Sequence, residues 1–267
     1  MAIAVQSGLA FLYQYLREHP LDLDDDRFVR LHEWFLHELS TIDEFADYLN
    51  DAERASYGAI CSRCHKRYLA IKEVQANKNL LAIARNAEAL TGENLNGFDR
   101  NAYPALVGWR ASNQPSNLRT LLDFCNCENV VMVGSGAFPA TLLWLRDNFP
   151  MLRYVGLDID PGCVKMATEL VAALGIDNVH FELIDGRQHD FGGVDFVYVA
   201  NHAVPKRAVL EQIAYSTSVR QIVVREPTPR GELLAEAVRP DLPPVFVADA
   251  AGAASGLMSY DLLLRRF

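Results

Sequence analysis

The chain has 267 residues, half of them hydrophobic, and carries a formal net charge of −9 with a pI near 5.3. That length and composition bury a sizeable core in one or two domains. The acidic balance excludes a nucleic-acid partner, because phosphate binding needs a basic face, and no apolar run approaches the roughly 20 residues of a membrane span.

In chain order, the opening MAIAVQSGLAFLYQYLREHP has neither a basic leader nor a cleavage signature, so a mature cytoplasmic protein is expected. Leu9, Leu12, Tyr13 and Leu16 recur at helical spacing. Acidic N-cap candidates in LDLDDDRF then precede Phe28, Leu31, Trp34, Phe35, Leu39, Ile42 and Phe45, the apolar positions of a second helix. A third helix is predicted over Ala52–Ala89, with a break in its middle, before a loop marked by Gly92 and Gly97. Residues 1–120 therefore read as an all-helical domain, whose last stretch holds Tyr103 and Trp109.

Within the third helix, Cys61-Ser-Arg-Cys64-His65 spells the c-type haem attachment pattern. That attachment follows export, and the motif sits at helical spacing without a convincing second axial ligand. Cys125 and Cys127 are spaced Cys-x-Cys, unlike a zinc ribbon. Reduced thiols and no metal are the expectation.

From Val130 onward, short β-rich runs alternate with helical stretches. Val130–Val133, Tyr154–Leu157, Val179–Leu183, Phe196–Val199 and Gln221–Val224 read as strands. Ala140–Asn148, Cys163–Leu174 and Lys206–Tyr215 read as the helices between them. Such alternation implies right-handed crossovers and a parallel sheet covered on both faces, and near-continuous apolar strands fit that burial. Val245–Val247 and Ser259–Leu264 read as a closing, antiparallel pair. The fold class is α/β, with a Rossmann-like domain over residues 121–267.

The residues that carry chemistry stand where these strands end. Gly134, Ser135 and Gly136 follow the first strand, and glycine lets the backbone turn sharply against a ligand. Asp158, 24 positions after Gly134, ends the second strand, where a carboxylate accepts both hydroxyls of a ribose. Pro139 occupies the place of the third glycine in the dinucleotide pattern GxGxxG, so S-adenosylmethionine is favoured over NAD. The domain is thus of the class I methyltransferase type. The helix start behind Gly136 suits an anion, in such a site the methionyl carboxylate. Ile159 and Asp160 extend the ribose end, although Asp160 and Asp158 also fit a surface helix cap. Asp185, beside Gly186, is placed to accept the adenine amino group, or else forms a turn. Asn201 and His202 end the fourth strand and face the reacting centre. Arg225 and Arg230 follow the fifth strand, where a guanidinium fork suits a carboxylate, unless they pair with Glu226 or Glu232. The partner is a small molecule, and a homodimer is the oligomer to test for.

GSGAFP followed by LDID resembles the nicotianamine synthase family, whose motif reads GSGPLP followed by NYDID. DFVYVANHAV is similar to that family's DVVFLAALVG, VVREPTPRG to VVRSAHGARG, and GLMSYDLLLRR to VVNSVIIAQ. The likeness runs from about Val130 to the C-terminus. It implies that S-adenosylmethionine is a substrate: an amine attacks the γ-carbon of its methionyl chain, methylthioadenosine leaves, and a 3-amino-3-carboxypropyl unit is transferred. Relatives make nicotianamine, make opine metallophores from histidine, or cyclise S-adenosylmethionine to azetidine-2-carboxylate. Plant members carry Glu-Ala-His and Phe-Pro-Tyr-Tyr around the acceptor. This chain reads CHKRYLAIKEVQANKN and GFDRNAYPALVGW there, with Glu73 and Tyr103 the nearest chemical equivalents. Asn201-His202 also replaces the family's Ala-Leu. The rebuilt pocket gives a slight preference for cyclisation, with transfer to an amino acid such as histidine the alternative and ordinary methyl transfer a third reading.

Overall fold

The computed structural model describes residues 25–40, 51–86, 127–228, 231–239, 242–251 and 259–266. The expected helix around Leu9–Leu16, the loop at Gly92 and Gly97, and Tyr103, Trp109, Cys125 and Arg230 lie outside them.

Two helices come first, α1 (Asp25–Ser40) and α2 (Asp51–Asn86). Phe28, His32, Phe35 and Leu39 recur every three or four residues along α1 and are all buried, so one stripe faces inward. α2 runs unbroken for 36 residues, about 54 Å at the rise of an α-helix. The expected break is missing for a simple reason. No proline interrupts α2, and its Gly58 meets open space instead of a neighbour that would exploit a kink.

The remaining elements are β1 (Asn129–Val133), α3 (Ala140–Asn148), β2 (Arg153–Asp158), α4 (Pro161–Ala173) and β3 (Val179–Leu183). β4 (Phe196–Val199), α5 (Lys206–Ala214), β5 (Gln221–Pro227), a 3-10 turn (Gly231–Leu233), β6 (Phe246–Ala251) and β7 (Ser259–Arg266) follow. They build a seven-stranded sheet in the order β3-β2-β1-β4-β5-β7-β6. The first five strands of that order are parallel, and β7 runs antiparallel to both β5 and β6. Strand order reverses between β1 and β4, which opens a crevice at their carboxyl ends.

Successive residues of a strand point to opposite faces, and β1 shows both. Val130 and Met132 join Leu142, Leu145, Leu170 and Leu80 on the face covered by α2, α3 and α4. Val131 and Val133 join Val209, Leu210 and Ile213 of α5 on the other. α2 is fastened to its face by polar contacts as well as apolar ones. Asn77, 1% exposed, donates from Nδ2 to the carbonyls of Ala137 at 2.7 Å and Met166 at 3.0 Å. One side chain thereby satisfies carbonyls from the β1–α3 turn and from α4.

Asn77→Ala removes both bonds while leaving their buried acceptors in place, and should cost about 2 kcal/mol of stability. Denaturant unfolding with an unchanged slope would show it; an unchanged midpoint would mean that the two Asn77 bonds add nothing to the hold on α2.

Candidate active site

The turn after β1 is built by two glycines at positive φ, Gly134 at 79° and Gly136 at 70°. A side chain on Gly134 would meet the Cβ atoms of Ala203 at 3.1 Å and Ala200 at 3.3 Å, so the turn also lies against the segment after β4. The backbone N–H groups of Gly134 and Ser135 both donate to Leu157 O, at 2.9 and 3.0 Å. Gly136 donates to Oδ2 of Asp158 at 2.8 Å. Pro139 then precedes α3, where its missing N–H costs nothing.

The anion at this helix start is not left to a ligand. Glu73, from the middle of α2, places Oε2 3.1 Å from the Ala137 amide and also takes the Phe138 N–H. Gly136 is what lets it in, since a Cβ there would lie 3.0 Å from the Glu73 carboxyl carbon. Burial pushes the Glu73 carboxyl up to about 7; the two amides oppose that shift and the Asp158 charge adds to it. The expected site for a methionyl carboxylate at this turn is therefore filled by a protein carboxylate. Sequence spacing could not show this, because the partner comes from 63 residues before Gly136 in a separate helix.

Asp158 ends β2 as expected. Its Oδ1 accepts the Asp160 N–H at 3.0 Å, and both carboxylates, Asp158 and Glu73, border Gly136. Asp160 caps α4 through Gly162 N at 2.7 Å, the structural role weighed for it above. Ile159 is 72% exposed at the carboxyl edge, and Leu183, at the end of β3, is 56% exposed. Leu183 pairs with Asp158 across the strands, so these two apolar side chains flank the carboxylate. Asp185 accepts from the Arg187 backbone at 2.9 Å and forms an ion pair with its guanidinium, which holds its carboxyl below the usual range. That is a turn-former's geometry. Gly186 packs on Val133, where a Cβ would come within 2.6 Å of Cγ1.

Asn201 and His202 stand just beyond β4. The ring of His202 lies 5.3 Å from that of His65, and His65 Nδ1 is 3.0 Å from His32 Nε2. Tyr68 lies beside them, its ring tilted 4.7 Å from that of His32 and stacked 6.0 Å from that of His65. Burial lowers all three imidazoles, to about 3 for His32 and His202 and about 4 for His65, so the cluster is neutral. Neither ring nitrogen of His202 has a hydrogen-bond partner among the described residues. The CxxCH motif is thus part of a helix face: Cys61 and Cys64 are buried free thiols, and its histidine meets His202. Arg225 is drawn into a buried network. Its Nε donates to Ser259 at 3.0 Å, and Asp261, which also accepts from Tyr198 at 2.9 Å, lies 3.5 Å from its NH1. The carboxylate beside it is neither Glu226 nor Glu232.

Two residues escaped the sequence reading. Cys163, in the first turn of α4, feels Asp158, Asp160 and Glu73, and burial with those charges pushes its thiol up to about 12. Lys206 is fully buried behind Asn201. An apparent surface lysine at a helix start gives no signal in one sequence.

The raised Glu73 carboxyl has a thermodynamic consequence. The folded state holds its proton up to about pH 7, whereas the unfolded chain releases it near 4.5. Stability therefore falls as pH rises through that window, by on the order of 3 kcal/mol in all. Glu73→Gln removes the ionisation and should raise the melting temperature at pH 8 while changing it little at pH 5. Equal shifts at both pH values would contradict a buried, raised carboxyl.

No protein-family model and no curated protein sequence matches the chain. Among solved structures, MtNAS in complex with MTA and tNA matches with a TM-score of 0.75 at 21% identity, covering 99% of this chain and 97% of that one. A glutamate-to-glutamine mutant of MtNAS matches equally well, and the same mutant in complex with S-adenosylmethionine gives 0.72 over the same coverage. The likeness takes in the helices before β1 as well as the sheet. The chain has, over nearly its whole length, the fold of the nicotianamine synthase MtNAS.

Proposed function

We propose that the chain uses S-adenosylmethionine as donor of a 3-amino-3-carboxypropyl group and releases methylthioadenosine. The observation that carries this reading is Glu73, a carboxyl poised near neutrality beside Asp158 at the carboxyl edge. An attacking amine must first lose its ammonium proton, and a base with a pKa near the working pH serves best. The Glu73 carboxylate takes that proton. The nitrogen lone pair then forms a bond to the γ-carbon, and the carbon–sulfur bond breaks with its electron pair going to sulfur. The positive sulfonium becomes a neutral thioether, so the protein has only to hold an in-line pose.

Asp158 takes the ribose hydroxyls in this reading, with Ile159 and Leu183 against the adenine and Gly134, Ser135 and Gly136 beside the nucleoside. Asp160, Asp185, Gly186 and Pro139 shape the surrounding turns. Arg225 completes the wall beyond β5, and Tyr103 and His202 are the remaining candidates to position the amine. Methyl transfer is the second reading, and the nucleoside product separates it from the first: S-adenosylhomocysteine in place of methylthioadenosine. Two amines remain: the substrate's own, closing azetidine-2-carboxylate, and that of a separate amino acid. The motifs rebuilt around the acceptor, CHKRYLAIKEVQANKN and Asn201-His202, give a slight preference to the substrate's own amine.

Chromatography of a reaction with S-adenosylmethionine, with and without added amino acids, should show enzyme-dependent methylthioadenosine. S-adenosylhomocysteine as main product would overturn the reading. Glu73→Gln should lower kcat by about 10²- to 10⁴-fold, and the wild-type rate should climb as pH rises through about 7. Asp158→Ala should weaken substrate binding about 10- to 100-fold by calorimetry, the loss of a charged acceptor; unchanged affinity would remove Asp158 from the site.

A further inference from the structure

A substrate with a free amino-acid end needs a partner for its carboxylate, and the turn after β1 has none to offer. Gly134 and Ser135 give their N–H groups to Leu157, Gly136 gives its to Asp158, and Ala137 and Phe138 give theirs to Glu73. β1 has two neighbours in the sheet: β2, whose end already serves the turn through Leu157 and Asp158, and β4. Asn201 stands there, and the segment it opens packs on Gly134 through Ala203.

The amide of Asn201 has a fixed orientation. Its Oδ1 lies 3.2 Å from Nζ of Lys206, a side chain with no exposed surface. An ammonium has three donors and no acceptor, so only the oxygen of the amide can face it, and the usual ambiguity of an asparagine flip does not arise. The other two donors of Lys206 go to the carbonyls of Arg225 at 2.8 Å and Glu236 at 2.5 Å. Three segments at the carboxyl edge, after β4, at β5 and after the 3-10 turn, are thereby pinned to one nitrogen. Glu226, 3.6 Å away, balances its charge. The Nδ2 group of Asn201 is left with no partner among the described residues, and a cation on the amide oxygen polarises that NH2 into a stronger donor.

We propose that Lys206 is a positioning residue, holding the Asn201 amide so that its NH2 receives the methionyl carboxylate of S-adenosylmethionine. This rests on the donor reading given above. The inference adds the carboxylate's partner and the buried cation that aims it.

The test is calorimetry with two ligands, S-adenosylmethionine and methylthioadenosine, which shares the nucleoside but lacks the amino-acid end. Asn201→Ala and Lys206→Met should each weaken S-adenosylmethionine about 10- to 100-fold and leave methylthioadenosine unchanged. The double variant should be no weaker than either single one, because Lys206 acts through Asn201. Lys206→Gln, a shorter neutral donor, takes the place of Lys206→Met if the latter does not fold. Equal losses for both ligands, no loss for either, or additive losses in the double variant would each overturn the assignment. A wild-type protein that binds neither ligand would overturn the donor reading together with it.

Discussion

The contact between the Glu73 carboxyl and the amides of Ala137 and Phe138 organises the rest of the molecule. It joins a helix that precedes the sheet to the turn on which the sheet's ligand crevice depends. Gly136 is required twice over, once for its positive φ and once because a Cβ would collide with that carboxyl. Asn77, one helical turn further along α2, ties the same turn to α4. The helical part is therefore a wall of the crevice, and a sheet of this type without α2 would present a different site. A carboxylate at a helix start is electrostatically favoured, yet this one is held at a cost by burial and by Asp158. A fold retains that sort of strain where an ionisable group is used.

The carboxyl edge carries two more buried polar assemblies, and each joins several strand ends. Lys206 gathers the segments after β4 and around β5, while Glu226 accepts the N–H of Val238 at 3.0 Å and so holds the return toward β6. Arg225, Tyr198, Asp261 and Ser259 lock β5 to β7 and β4. Charges this deep repay their desolvation only when every donor finds a partner, and here Lys206 spends all three. The neutral imidazoles of His32, His65 and His202 do the corresponding work between α1, α2 and the segment after β4. Rigid strand ends favour a reaction in which orientation, more than bond polarisation, sets the rate.

Much of this was legible in the sequence, for identifiable reasons. The five parallel strands lie within a residue or so of their expected starts, and β1 and β4 are the plainest because runs buried on both faces carry no polar interruption. α3 begins at Ala140 as expected, directly after Pro139, and Asp158 is marked by its place at the end of an apolar run. The central break expected in α2 did not exist, since weak amphipathic patterning in a helix packed on several sides mimics an interruption. Glu73 could be named but not placed, because its meaning depends on a turn 63 residues away. Lys206 and Cys163 were invisible, since burial of a polar residue is a tertiary fact. Arg225 and Asp185 carried a ligand-facing and a structural reading each, and the protein groups beside them, Asp261 with Ser259 and Arg187, are tertiary or turn contacts that spacing does not rank.

The central claim is that Glu73 titrates near neutrality inside the folded protein. Infrared spectra of wild type minus Glu73→Gln, recorded across pH 4 to 9, isolate the absorption of this one carboxyl. A protonated carboxyl band that persists above pH 6 and gives way to carboxylate near 7 is the predicted result. A transition near 4.5, the value of a solvated glutamate, would contradict the account at its base.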